Sequence, residues 1–347
     1  MIQNYFNQIQ SCYLIAEIGV NHNGDIGLAK KMILEAKNSG ADAVKFQTFT
    51  AEALVTKSTP KVAYQQNTTS LDESHYEMIR RLELGKTDHV MLFDYCQILG
   101  IDFISTPYDI ESAVFLNNMG VKLFKTASAD LVDLPLQEYL ASTGKPVMVA
   151  TGMANLGEIE QVVNIFDENN NPNLLLLHCV SNYPCSDIAL NLKVLHTLSS
   201  AFQLPVGYSD HSEGFLAAAL SVSLGAKVIE RHFTLDKNMA GPDHKASSTP
   251  DEFREMVMWV RRSEVMLGSA KKVRQYEEEQ MATVSRKSLV VAHAIKAGQL
   301  ISREDLRLMR PGTGVGASSI ASIVGRRANK DIDQFQQISW SDLESVG

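Results

Sequence analysis

The sequence predicts an α/β protein: a (β/α)8 barrel followed by a small β-rich domain. Three observations carry this reading. Short β-branched runs alternate with longer amphipathic stretches, and eight such units over about 250 residues fit a closed parallel barrel better than an open sheet. Polar side chains gather at the C-terminal ends of those runs, where barrel enzymes place their chemistry. From Arg286 onward the texture changes to short strands and turns.

The strand candidates are residues 13–19, 43–49, 102–108, 123–128, 146–152, 174–181, 205–211 and 227–233, each rich in Val, Ile, Leu or Phe. Helical periodicity lies between them, at 26–39, 109–119, 157–167 and 214–224, and the helix 251–267 completes the eighth unit. The polar stretch 50–69 reads as a long loop over the barrel mouth. Residues 269–285 are strongly charged and read as a linker ending in a short helix. The predicted division is therefore a barrel over 1–268, a linker over 269–285 and a small domain over 286–347. At about 60 residues that tail is marginal as an independent fold.

Composition narrows the function classes. The chain has 347 residues, 45 % of them apolar and 21 % charged, as in an ordinary soluble protein. A net charge of −8 argues against a nucleic-acid or anionic-membrane surface. No run approaches the roughly 18 consecutive apolar residues of a membrane span. Residues 1–10 lack the basic start and apolar core of a signal peptide. Cys12, Cys96, Cys179 and Cys185 are few and scattered, which reads as reduced core or near-site thiols and a cytoplasmic setting.

Nearly every strand candidate ends in polar residues: Glu17, then Lys45 with Gln47, Ser105 with Thr106, Lys125 with Ser128, Thr151, His178 with Ser181 and Tyr183, Ser209 to His211, and Glu230 to His232. Lys45 and Lys125 stand in otherwise apolar strands, where an unpaired ammonium is costly. An anion relieves that cost, with Thr106 and Ser128 completing a cradle for a phosphate and a carboxylate; structural Lys–Glu bridges are the alternative. His211 and His232 end adjacent strands about 5 Å apart, within reach of one divalent ion. Alternation along the strand puts Glu230 on the same side as His232 and opposite Arg231, as a further ligand direct or through water.

The blocks Ala16-Glu17-Ile18-Gly19, Asn21-His22-Asn23-Gly24, Val44-Lys45-Phe46-Gln47-Thr48, Tyr208-Ser209-Asp210-His211, Glu230-Arg231-His232-Phe233 and Gly241-Pro242-Asp243-His244-Lys245-Ala246 resemble the sialic (nonulosonic) acid synthase family along essentially the whole chain. The tail, through Arg310-Pro311-Gly312-Thr313-Gly314, resembles that family's SAF (antifreeze-like, β-clip) domain. The resemblance implies a metal-dependent aldol-type condensation of phosphoenolpyruvate with an N-acetylmannosamine-like aldehyde. It implies that His211 and His232 hold Mn2+ or Mg2+, and that Lys45, Thr106, Lys125, Ser128, Ser181 and Ser209 bind phosphoenolpyruvate. Gln47, Tyr183, Asp243 and Arg310 would meet the sugar. Glu17 and Asp130 join the two histidines as candidate catalytic residues. Arg310 would reach the barrel of a partner subunit, making the working unit a homodimer.

Within the family, Ala127-Ser128-Ala129-Asp130 stands where the N-acetylneuraminate branch has Gly-Ser-Gly-Glu, and the carboxylate of Asp130 withdraws by about 1.5 Å. Together with Asn182-Tyr183-Pro184-Cys185, this run looks more like legionaminic acid synthases, whose sugar is a 2,4-diacetamido-2,4,6-trideoxymannose. N-acetylneuraminate synthase is the alternative; the Gly241–Ala246 block speaks against the pseudaminate branch. An octulosonate- or heptulosonate-phosphate synthase would need further cations at the strand ends. A non-enzymatic carbohydrate-binding protein is hard to reconcile with a polar barrel mouth and paired histidines.

Overall fold

The computed structural model describes residues 4–62, 65, 69–70 and 72–345. These divide into two compact units, 1–268 and 269–347, so the charged segment 269–285 groups with the C-terminal unit.

The first unit holds eight parallel strands: β1 (Tyr13–Gly19), β2 (Ala43–Thr48), β3 (Asp102–Pro107), β4 (Phe124–Thr126), β5 (Val147–Ala150), β6 (Leu174–His178), β7 (Val206–Asp210) and β8 (Val228–His232). Their order is β3-β2-β1-β8-β7-β6-β5-β4, and β3 lies beside β4, so the sheet curls into a nearly closed barrel. The observed strands are mostly shorter than the predicted runs.

Helices flank the strands as the periodicity predicts, among them Ile26–Asn38, Ile110–Met119, Leu156–Glu168, Leu216–Ser223 and Pro250–Leu267. Side-chain caps fix where they start. The Asp25 carboxylate accepts from the amides of Gly27 and Leu28, and Asn155 forms a capping box with Glu158. The segment read as a mouth loop, 50–69, contains the short helix Ala51–Leu54; residues 63, 64 and 66–68 lie outside those described.

Period-two alternation sorts the barrel interior into layers. Ile15, Ala43, Ile104, Leu123, Met148, Leu175 and Val228 form an apolar layer, packed with Phe6 of the 3-10 turn Tyr5–Gln8. Burying each such side chain contributes about 1.5–3 kcal/mol. Two residues further along the same strands come Glu17, Lys45, Thr106, Lys125 and Glu230. The residues of opposite parity, such as Ala16, Val44, Phe103 and Tyr208, pack outward under the helices in the main core. A satellite core of Val20, Phe49, Met78 and Leu82 supports the excursion between β2 and the helix Lys86–Leu99.

In the second unit β9 (Ser288–Val291) pairs antiparallel with β10 (Leu306–Met309), and the helix Glu279–Ser285 precedes them. This unit has its own core, including Leu289, Val291, Ile301, Leu306, Ile332 and Ile338.

Candidate active site

Register assembles the site before any side chain is placed. Glu17 pairs with Lys45 on β2 and with His232 on β8, Gln47 pairs with Thr106, and Ser209 pairs with Glu230. A register shift between Glu17 and Gly19 kinks β1 at the mouth. Gly19 takes φ +55° there, and an added Cβ would lie 3.0 Å from Glu17 Oε1 and 3.3 Å from Gln47 Nε2. Glycine thus leaves room for both polar groups.

A cavity of about 370 Å³ opens at this end. Glu17, Lys45, Gln47, Thr106, Lys125, Ser128, Ser181, Tyr183, Ser209, His211, Glu230, His232 and Asp243 all line it. The sequence therefore brought together nearly all of its candidate site residues. Asp130 does not line the cavity; it lies in the 3-10 turn Ser128–Val132, half-buried, with Oδ2 lacking a hydrogen-bond partner among the described residues. Arg310 belongs to the C-terminal unit, where its Nε donates to the Ser285 carbonyl at 3.0 Å.

Several other strand-end polar residues have structural work. Arg231 donates to Asp210 at 2.6 Å, Ser248 at 2.6 Å and the Ser212 carbonyl at 2.9 Å, tying two mouth loops together. His178 bonds the Leu190 carbonyl, and Asn21 donates to Phe233 O and Ser247. Alternation explains the split: Ser209, Glu230 and His232 face the cavity, whereas Asp210 and Arg231 face the loops.

The two lysines are paired and also face the cavity. Lys45 Nζ lies 2.6 Å from Glu17 Oε2, 3.1 Å from the Thr106 hydroxyl and 3.8 Å from Glu230 Oε2. Lys125 Nζ lies 3.1 Å from Glu230 Oε1, which also accepts from Ser209 at 2.9 Å. Burial would raise the Glu230 carboxyl, but Lys125 and Lys45 bring it down to about 2. Burial likewise opposes charge on Lys125, yet Glu230 and Glu17 hold it above the ordinary lysine value. Glu17 is pushed up and Lys45 down by burial, against their mutual attraction.

His211 and His232 stand with ring centroids 5.8 Å apart, and the Tyr183 ring packs 4.2 Å from His211. Burial lowers His211 to about 4; burial, His211 and Lys45 lower His232 well below the usual range. Both rings are neutral near pH 7. His211 donates Nδ1–H to the Val180 carbonyl at 2.7 Å, which leaves an Nε2 lone pair. His232 Nδ1 is buried with no hydrogen-bond partner among the described residues. Two neighbouring imidazoles, one of them oriented by the Val180 carbonyl, fit a divalent ion. Among the described residues no third His, Cys, Asp or Glu joins them in one cluster. Asp243 Oδ2 lies 4.0 Å from His232 Nδ1, and burial with Glu17 nearby pushes its carboxyl up to about 7.

Two features of the Ser128 corner come from the folded chain, and a third lies on the opposite side of the cavity. The Ser128 hydroxyl accepts from the Gly152 amide at 3.2 Å and contacts Cys179 Sγ at 3.1 Å. A Cβ at Gly152 would come within 2.5 Å of Ser181 Oγ and 2.7 Å of Ser128 Oγ, so glycine keeps that corner open. The third is an apolar wall, described below, that no motif signals. All four cysteines are free and buried.

Comparison with known proteins agrees with the geometry. The NeuB family model matches residues 32–272 and the SAF domain model residues 286–344. The N,N'-diacetyllegionaminic acid synthase of Legionella pneumophila is 43 % identical over 339 residues, spanning 96 % of this chain and 95 % of that protein. The N-acetylneuraminate-9-phosphate synthase of Mus musculus is 35 % identical, spanning 96 % and 93 %. The crystal structure of an N-acetylneuraminic acid synthetase from Leptospira borgpetersenii superposes with a TM-score of 0.70 at 35 % identity, covering 78 % of this chain and 90 % of that one. The chain belongs to the NeuB family and carries a C-terminal SAF domain.

Proposed function

We propose that the protein condenses phosphoenolpyruvate with an acylamino-sugar aldehyde, releasing phosphate to form a nine-carbon nonulosonic acid, with N,N'-diacetyllegionaminate as product. The observation that carries this reading is the placement of two buried lysines beside two neutral histidines in one cavity. The similarity to a legionaminic acid synthase supports the choice of sugar.

Lys45 and Lys125, with Thr106, Ser128, Ser181 and Ser209, hold the carboxylate and phosphate of phosphoenolpyruvate. Gln47, Tyr183 and Asp243 meet the sugar and set its aldehyde against C3 of phosphoenolpyruvate. NeuB-family synthases are generally metal-dependent. His211 and His232 would hold a divalent ion, Mn2+ or Mg2+, which would supply Lewis acidity at the aldehyde oxygen. The C2=C3 π pair of phosphoenolpyruvate forms the C3–C1 bond while the aldehyde C=O π pair moves to oxygen, which takes a proton. Water then adds at C2 and loses a proton, and the C2–O bond breaks to release phosphate as the C2 hydroxyl collapses to the ketone. Glu17, whose Oε2 lies 2.6 Å from Lys45 Nζ, manages the protons. Asp130, which does not line the cavity, acts through the field it shares with Lys125 and not by touching substrate. The working unit is a cytoplasmic homodimer in which Arg310 serves the partner's barrel.

Phosphate release from phosphoenolpyruvate decides the matter, measured with 2,4-diacetamido-2,4,6-trideoxymannose, N-acetylmannosamine and arabinose 5-phosphate. The first is expected to give the highest kcat/KM. Release only with arabinose 5-phosphate would reassign the enzyme, and release with none would end the synthase reading.

A further inference from the structure

The cavity has two unlike sides. Its floor is the ring of charged and hydroxyl groups at the strand ends. The side built by the excursion after β2 is apolar: Leu54, Val55 and Ile79 are half-buried and line the space. Phe49, Met78 and Leu82 line the same side, and Leu54 and Ile79 pack against the satellite core they belong to. Beside it stands His75, which also lines the cavity; burial lowers its pKa, and its Nδ1 is buried with no hydrogen-bond partner among the described residues.

We infer that this wall is the enzyme's sugar-specificity element, selecting a substrate that carries methyl and acylamino groups, not free hydroxyls, at the end remote from the aldehyde. The inference rests on the synthase reading. His211 and His232 end β7 and β8, whereas the wall springs from β2, on the far side of β1. A six-carbon sugar with C1 at the histidines therefore extends its other end toward the wall. A hydroxyl set against the side chains of Leu54, Val55 and Ile79 loses its water and gains no partner from them, whereas a methyl group gains burial. An acylamino group suits the place doubly: its methyl packs on Leu54, Val55 and Ile79, and its N–H has an acceptor in His75 Nδ1. Such a wall discriminates against one added hydroxyl by up to about a hundredfold.

The test compares kcat/KM for 2,4-diacetamido-2,4,6-trideoxymannose and for N-acetylmannosamine, in wild type and in a Val55→Thr/Ile79→Thr variant. Both replacements stay β-branched at half-buried positions; a melting curve checks the fold, and Val55→Thr alone serves if the double variant is unstable. The wild type is expected to favour the diacetamido sugar. The variant is expected to lower that preference about tenfold, through the sugar KM, with the KM for phosphoenolpyruvate changed by less than about twofold. An unchanged preference in a folded variant, or a wild type that favours N-acetylmannosamine, overturns the wall while leaving the synthase reading standing. Absence of phosphate release with every sugar overturns both.

Discussion

Lys45 Nζ lies 2.6 Å from Glu17 Oε2, and both side chains are 2 % exposed. Removing one partner of a buried pair strands the other charge, at a cost of about 3–5 kcal/mol. Lys45→Met should therefore unfold at distinctly lower denaturant, and adding Glu17→Gln should restore most of the loss. Both single variants should also be inactive. Equal destabilisation of the single and double variants would show that the pair is not coupled. Lys125→Met should weaken phosphoenolpyruvate binding by about 1.5–3 kcal/mol in calorimetry.

Gly152→Ala introduces a methyl group 2.5 Å from Ser181 Oγ and 2.7 Å from Ser128 Oγ. The expected result is a KM for phosphoenolpyruvate raised at least about tenfold, with a much smaller change in the sugar KM, since the ground-state contacts of one substrate are displaced. A normal phosphoenolpyruvate KM would remove Ser128 and Ser181 from the cradle.

His211→Ala and His232→Ala should each abolish turnover, lower bound-metal content in elemental analysis and leave the melting profile near that of the wild type. Chelation should inactivate the wild type, and Mn2+ or Mg2+ should restore it. Full activity after exhaustive chelation would sink the metal assignment.

Asp130 gives a pH signature. Burial, then Asp133, raises its carboxyl from 3.8 to about 7. A carboxyl whose folded pKa is raised contributes stability below its unfolded pKa and loses it as pH rises through the folded one. Asp130→Asn should thus be little changed at pH 4 and more stable than wild type at pH 8, by at most about 4 kcal/mol at 1.36 kcal/mol per unit. Denaturation midpoints that differ equally at both pH values would refute this.

Arg310→Ala should raise the sugar KM far more than that of phosphoenolpyruvate. Arg310→Ala subunits mixed with His211→Ala subunits distinguish service in trans from service in cis. In trans, each heterodimer has one barrel with both lesions and one intact site, so activity returns. In cis, both sites stay broken and mixing restores nothing.

The barrel was legible because its strands are buried on both faces and its caps and periodicity are local. Strand ends were less so: residues 123–128 contain only a three-residue strand, Phe124–Thr126, since Ala127 and Ser128 leave the ladder to face the cavity. Polar residue type named the site, yet could not separate Glu230, which faces inward, from the clamp Arg231 without strand parity. The lysines were read as either ligand-binding or ion-paired, and in the folded chain they line the cavity and are paired as well. The role of Gly152 and the apolar wall are not legible in sequence, because each matters through spatial neighbours far away along the chain. The tail, judged marginal by size, has a core of its own.

The satellite core of Val20, Phe49, Met78 and Leu82 has a bearing on descent. Because the excursion after β2 is supported largely by its own small core, its face can drift without disturbing Lys45, Glu230 or the histidines. Selection can then exchange the sugar an ancestor accepted while the bond-making apparatus is inherited intact. A lineage built this way diversifies its products by rewriting one surface segment, and its members should differ most between β2 and β3 and least at the strand ends.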